Sequence, residues 1–170
     1  MLIDGAHHSR ELITIKMTFS ILLKLLHGVY HEDNQTFQIL KTTQVYIIPV
    51  VNPDGVAFIE ENETGDGTIL LKRKNGRRNS QRCKFGEVDE GVDLNRNYDI
   101  NWSGSDPFDR FNSESECSQS YPGLEAWSEP ETRTMRDFIL SHKDTLKFVL
   151  NYHSYGNMFI VPYSANDSSL

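Results

Sequence analysis

Gln44-Val45-Tyr46-Ile47-Ile48-Pro49-Val50-Val51 decides the fold class. The stretch is short, β-branched and nearly all apolar, which is how a strand buried on both faces reads. Pro49 has no amide donor and belongs near the strand's end or at a bulge. Asn52-Pro53-Asp54-Gly55 then reads as a turn. Upstream, residues 10–30 carry Leu12, Ile13, Ile15, Phe19, Leu22, Leu23 and Leu26. Their spacing predicts a helix with one buried face, stopped at Gly28. Residues 1–5 read as the tail of another strand running into a turn. Downstream, residues 56–127 are rich in Gly, Asn, Ser, Asp and Arg and show almost no periodicity. Phe58, Phe85, Tyr98, Trp102, Phe108, Phe111, Tyr121 and Trp127 argue that this long loop region is ordered. Ser128-Glu129-Pro130-Glu131 predicts a helix start, with Ser128 as N-cap, Glu131 completing a capping box and Pro130 in the first turn. Met135, Phe138 and Ile139 follow at helical spacing. Leu146–Tyr152 and Asn157–Tyr163 read as strands. This order predicts an α/β fold with a mixed, largely parallel sheet flanked by helices.

Composition bounds the function. The 170 residues make one domain or a piece of one. Seventeen basic and 24 acidic residues leave a net charge of −7, which argues against nucleic acid as a partner. By this reading no apolar run reaches the roughly 18 residues of a membrane-crossing helix. Ile13–Tyr30 comes closest, and Thr14, Lys16, Thr18, Ser20, Lys24 and His27 interrupt it. Residues 1–5 lack the basic lead of a signal peptide. Cys83 and Cys117 are open to two readings, one disulfide or two free thiols. N-x-S/T triplets at Asn34, Asn62, Asn101 and Asn166 have meaning only in a secretory pathway.

Four constellations could carry chemistry. His8 and Glu11, three apart after a short strand, offer an imidazole nitrogen and a carboxylate oxygen, a pair that suits zinc. Alone, they could equally be a surface histidine beside an acid at a helix start. His153 lies at the carboxyl end of an apolar strand, where active sites of such sheets sit. With His8 and Glu11 it would make an open catalytic zinc shell. Asp93-Leu94-Asn95-Arg96-Asn97 sets amide and guanidinium donors side by side, suited to a carboxylate or to pinning a loop. Lys72-Arg73-Lys74-Asn75-Gly76-Arg77-Arg78 is a basic run in an acidic chain.

In order, the chain reads GAHHSREL, VNPDGV, KRKNGRRN, GVDLNRNYD, CSQSYPG, SEPET and LNYHSYG. This series is similar to the zinc metallocarboxypeptidases of the carboxypeptidase A/B type. The match runs from residue 4 to about 163. The resemblance implies one zinc ion per chain, held by His8, Glu11 and His153. It implies that Arg73 polarises the scissile carbonyl, and that Asn95 and Arg96 clamp the substrate's terminal carboxylate. Arg10 and Tyr155 would line outer subsites, and Asp93 would orient the first zinc histidine. Cys83 and Cys117 would form a disulfide tying the active-site loop.

The implied activity is removal of the C-terminal residue of peptides and proteins by a secreted monomer, with no nucleic-acid or membrane partner. Members of this family carry the catalytic base as a glutamate several dozen residues past the third ligand. After His153 this sequence has a single acid, Asp167. Residues 1–170 are therefore expected to be a partial catalytic domain, lacking N-terminal strands and the C-terminal part with the base. Two other readings remain: a zinc and peptide-tail binder that does not cut, and a zinc deacylase of N-acyl amino acids. The SRE, YPG, SEPET and HSYG motifs favour the peptidase.

Overall fold

The computed structural model describes residues 1–100, 102 and 115–161. Three short strands form a parallel sheet in the order β2-β1-β3: β1 (Leu2–Asp4), β2 (Tyr46–Ile48) and β3 (Val149–Asn151). Leu2 lies opposite Tyr46 and Val149, and Asp4 opposite Ile48 and Asn151. Parallel strands need crossovers. Helices α1 (Ile13–Tyr30) and α2 (Asn34–Thr42) make the first. Helices α3 (Pro53–Glu61) and α4 (Pro130–Ser141), with the segment between them, make the second. All three strands therefore point their carboxyl ends the same way, the edge where ligands bind in such sheets. Leu2, Val51, Leu94 and Met135 form the buried core, with Tyr46, Ile48, Tyr98, Phe138, Ile139 and Leu146 packed on it.

Several local expectations are corrected. The strand buried on both faces is β1, because it takes the centre; β2 is an edge of the described sheet and only half-buried. The Asn52–Gly55 turn is instead the start of α3. Asn52 is its N-cap, accepting from the Gly55 N–H at 3.0 Å, and Pro53 opens the first turn. Turn residues and helix caps share this chemistry, so the same four residues serve either. Gly28 does not stop α1. It is buried within the helix, where any side chain would collide with Thr36 of α2.

Nor is the buried face of α1 the apolar one. Thr14, Thr18 and Gly28 are buried, while Leu23 and Leu26 are 62% and 57% exposed. Small residues let α1 approach α2 and β2 closely, and that contact sets the helix's rotation. By length and a mean hydropathy of 1.3, α1 is long and apolar enough to cross a membrane, contrary to the sequence expectation, because its polar interruptions are mostly weak ones. Helix α2 is an addition to the elements expected from the sequence. Asp33 caps it by accepting from the Thr36 N–H at 2.8 Å. The Ser128 capping box does not form: Glu129 is the N-cap, and Ser128 and Glu131 turn to Asn97 and Asn75. Strand β3 is shorter than Leu146–Tyr152. Residues 157–161 form no strand, and the rest of that expected strand lies outside the described residues. So do Asn101, Phe108, Phe111, Asn166 and Asp167.

The described parts of the long loop region are held by buried polar side chains. Asn97, fully buried, donates to Pro122 O (2.7 Å), Glu125 O and Ser128 Oγ, and its oxygen accepts from Glu129 N and Thr132 Oγ1. Asn75 joins Val92 to Glu129. Lys72 donates to Glu87 O and Glu90 O, and Lys74 to Glu116 O; burial lowers both ammonium groups to about 8. Cys83 and Cys117 form a disulfide across 34 residues. Closing a loop of that length stabilises by about 3–4 kcal/mol. Reduction is expected to lower the unfolding free energy by that amount in denaturant titrations. Alkylation of both thiols without prior reduction would contradict the bridge.

Candidate metal centre

Beyond β1 the chain turns sharply through Gly5 and Ala6. Ala6 has φ +52°, a left-handed conformation that costs a β-carbon residue about 1–2 kcal/mol. Its N–H donates to Thr14 Oγ1 (2.9 Å) and its carbonyl accepts from Asn52 N (3.1 Å). Thr14 Oγ1 in turn donates to Glu11 O at 2.7 Å. Ser9 Oγ donates to Lys72 O (2.7 Å), and Asn52 Nδ2 to His7 O (3.1 Å). The turn carrying His8 and Glu11 is thus fastened to α1, to the start of α3 and to the basic segment.

Three side chains converge there. His8 Nδ1 lies 2.8 Å from Glu11 Oε1 and 3.1 Å from His153 Nδ1. His153 Nδ1 lies 2.9 Å from Glu11 Oε2, which also accepts from Ser154 N. One donor atom from each residue falls within 4.8 Å of the others. Two imidazole nitrogens and one carboxylate oxygen form a donor set that zinc takes with a fourth position open. The far nitrogen of His8, Nε2, is 3.0 Å from Asp93 Oδ1, which leaves Nδ1 for an ion. The residues present fit the group.

The electrostatics are tightly coupled. Burial alone would raise the Glu11 carboxyl. Hydrogen bonds with His153 and His8, and the His8 charge, outweigh burial and hold it well below the usual carboxylate range. Burial would lower His8, but its bonds to Asp93 and Glu11 win and raise it above 6.5. Asp93 is fully buried, yet His8 and Arg73 hold it low.

Arg73 joins this group. Its Nε and NH2 donate to Asp93 Oδ2 at 3.0 and 2.8 Å, and Nε also to Gln119 O. Its NH1 lies 3.2 Å from His8 Nδ1 and 4.0 Å from Glu11 Oε1. Asn95 and Arg96 stand on the 3-10 turn Leu94–Arg96 that Asp93 caps. Asn95 is exposed, and Arg96 is partly so and donates to Asn95 O at 2.9 Å. Arg10 is exposed and reaches Gln119 Oε1 at 3.4 Å. Tyr155 is fully exposed and makes no hydrogen bond to the cluster. Sequence reasoning missed Asp4 and His7, which are buried beside the cluster, and the exposed Asn151, whose side-chain amide reaches both. The doubled histidine of GAHHS and the acid ending an apolar strand were the available signals.

A parallel α/β sheet with a His–Glu–His cluster at its carboxyl edge is an arrangement that could hold a metal ion. Residues 1–170 match the zinc carboxypeptidase family, peptidase M14, and the chain belongs to it. It is 33% identical over 168 residues to carboxypeptidase B of Helicoverpa zea, covering 99% of this chain and 35% of that one. It is 30% identical over 161 residues to carboxypeptidase A2 of Rattus norvegicus, covering 95% and 34%. Bovine thrombin-activatable fibrinolysis inhibitor, solved in complex with tick carboxypeptidase inhibitor, superposes with a TM-score of 0.72 at 29% identity, over 91% of this chain and 45% of that one. The chain therefore spans about a third of the curated relatives' length. The fold is the carboxypeptidase one, in part.

Metal affinity should depend on pH. An imidazole must lose its proton before its nitrogen can ligate. With His8 raised above 6.5, zinc affinity is expected to climb as pH rises through that raised value. Chelator competition between pH 6 and 8 measures it; a flat profile would contradict the coupling. Asp93→Asn is expected to weaken zinc about 10–100-fold. The depressed Asp93 carboxyl contributes stability above its unfolded value that is lost on acidification, so the variant should show a flatter stability profile at low pH.

Proposed function

We propose that this chain carries the zinc-binding and carboxylate-recognising part of a metallocarboxypeptidase, which removes the C-terminal residue of peptides and proteins. The observation that carries the reading is the convergence of His8, Glu11 and His153 beside Arg73 and Asp93 in a member of the zinc carboxypeptidase family. In this reading those three residues hold one zinc ion, which when bound supplies Lewis acidity and a water of pKa near 7. Asp93 fixes the His8 ring through Nε2. Arg73 NH1, now on His8 Nδ1, is the donor for the developing oxyanion once that nitrogen serves as a ligand. Arg96 takes the terminal carboxylate through its planar fork, with Asn95 beside it, and so restricts cutting to the last bond. Arg10 and Tyr155, both exposed, line outer subsites. The Cys83–Cys117 disulfide and the exposed Asn34 and Asn62 acceptors support a secreted protein, and we take it as a monomer.

A second reading has its own support. Among the described residues, the carboxylates in hydrogen-bonding contact with the cluster are Glu11 and Asp93. Glu11 is needed as a ligand and Asp93 is locked between His8 and Arg73, so neither is free to act as general base. In this reading the described residues bind zinc and a peptide tail without cutting it.

Two charged hydrogen bonds contribute about 3 kcal/mol, a factor near 100. Peptides with a free C-terminus are expected to bind about that much more tightly than their amides. Arg96→Ala should erase the difference in a fluorescence titration. The 170-residue chain is expected to leave such peptides intact, and release of the C-terminal amino acid by it would overturn the second reading. Equal binding of acids and amides would overturn the carboxylate clamp.

A further inference from the structure

We infer that His7 is a positioning residue of this centre: with Asp4, Asn151 and Tyr98 it forms a hydrogen-bonded clamp, anchored on the buried Asp4 and His7, that holds the strand leading to His153 against the turn bearing His8 and Glu11. The inference deepens the metal reading above and rests on it.

The three proposed ligands are not equally secured. The side chains of His8 and Glu11 are 4% and 8% exposed, but that of His153 is 31% exposed. His153 follows a three-residue edge strand whose Val149 is 45% exposed. Two backbone bonds flank this strand on β1, Leu2 N to Phe148 O and Tyr152 N to Asp4 O, both at 2.9 Å. A strand this short and this exposed is weakly specified in register by its backbone and packing alone.

Side chains supply what the ladder lacks. The Asn151 amide nitrogen donates one N–H to Asp4 Oδ1 and the other to His7 Nδ1, at 2.8 Å. His7 Nδ1 is then the acceptor, so Nε2 carries the proton and donates to the Tyr98 hydroxyl at 2.7 Å. His7 Nδ1 and Asp4 Oδ1, 3.3 Å apart, are bridged by the shared amide. Asp4 and His7 are 1% and 3% exposed. Asn151 is exposed, but its partners are buried, and losing one member of the network leaves those buried groups unpaired.

The positions matter as much as the bonds. His7 immediately precedes His8, and Asn151 lies two residues before His153. The clamp therefore closes within two residues of both imidazole ligands. Its ring also stands 5.8 Å from the His153 ring and 5.9 Å from that of Tyr98. Tyr98 brings in a third segment, the one that carries Asp93. Without the clamp His153 can shift relative to the buried pair while the sheet and helices persist.

The test uses the intact protein with Co2+ as the probe. Wild type is expected to bind one ion with a visible absorption band; if it binds none, the metal reading fails and the clamp with it. His7→Phe keeps the ring's volume and removes both hydrogen bonds. It should weaken Co2+ binding about 10–100-fold and shift the band. His7→Gln can accept from Asn151 and donate to Tyr98, and should restore most of the affinity and the wild-type band. Wild-type affinity and spectrum in His7→Phe would overturn the inference, as would a His7→Gln variant as impaired as His7→Phe. Should His7→Phe fail to fold, Asn151→Ala decides: wild-type affinity there overturns the clamp, and a comparable loss supports it.

Discussion

The Asp93 carboxylate is fully buried, and a buried carboxylate is tolerated only when its oxygens are filled with donors. Its donors come from separate stretches of chain: His8 Nε2, Arg73 Nε and NH2, and the Asn95 amide. Satisfying that one group forces the turn after β1, the basic segment and the 93–98 segment to meet. It also fixes which face of each arrives. The His8 ring must present Nδ1 away from Asp93, towards Glu11 and His153, and the Arg73 fork must lie flat beside it. The candidate metal centre is the geometric consequence of a desolvated charge.

The same logic extends through the irregular half of the chain. Asn52, Asn75 and Asn97 are each nearly or fully buried, and each satisfies backbone groups that no helix or strand supplies. Lys72 and Lys74 do so with ammonium donors, at the cost of a lowered pKa. A loop buried without such partners would carry unpaired amides and carbonyls, each costing about 1–3 kcal/mol. These side chains let the described residues of 72–100 and 115–128 lie against the sheet's carboxyl edge and wall the centre.

The parts of the fold that were legible are those whose signal is local. The apolar stretch around Tyr46–Ile48, the periodic helix after Ile13 and the Met135–Phe138–Ile139 face correspond to observed elements. The ordered motifs likewise marked His8, Glu11, Asp93, Arg73 and His153, which do gather at one place. What failed did so for tertiary reasons. Asn52-Pro53-Asp54-Gly55 suits a turn and a helix cap equally, and only its neighbours decide. Ser128 caps nothing, because Asn97 claims it. Thr14 and Thr18 are buried in place of the leucines of α1, because close approach to its neighbours favours small residues over apolar ones.

Sequence alone, then, determined the class of sheet, the elements β1, α1, β2, α4 and β3 in their order, and the side chains with the chemistry to hold a cation, because these follow from hydrophobic period and side-chain chemistry. Tertiary structure decided the rest. It chose which strand is central, which face of α1 is hidden, which His8 nitrogen faces Asp93 and which faces Glu11 and His153, and that Asp4, His7, Tyr98 and Asn151 share one hydrogen-bonded network. Those choices depend on burial and on hydrogen-bond partners far apart in the chain, and residue spacing carries no record of either.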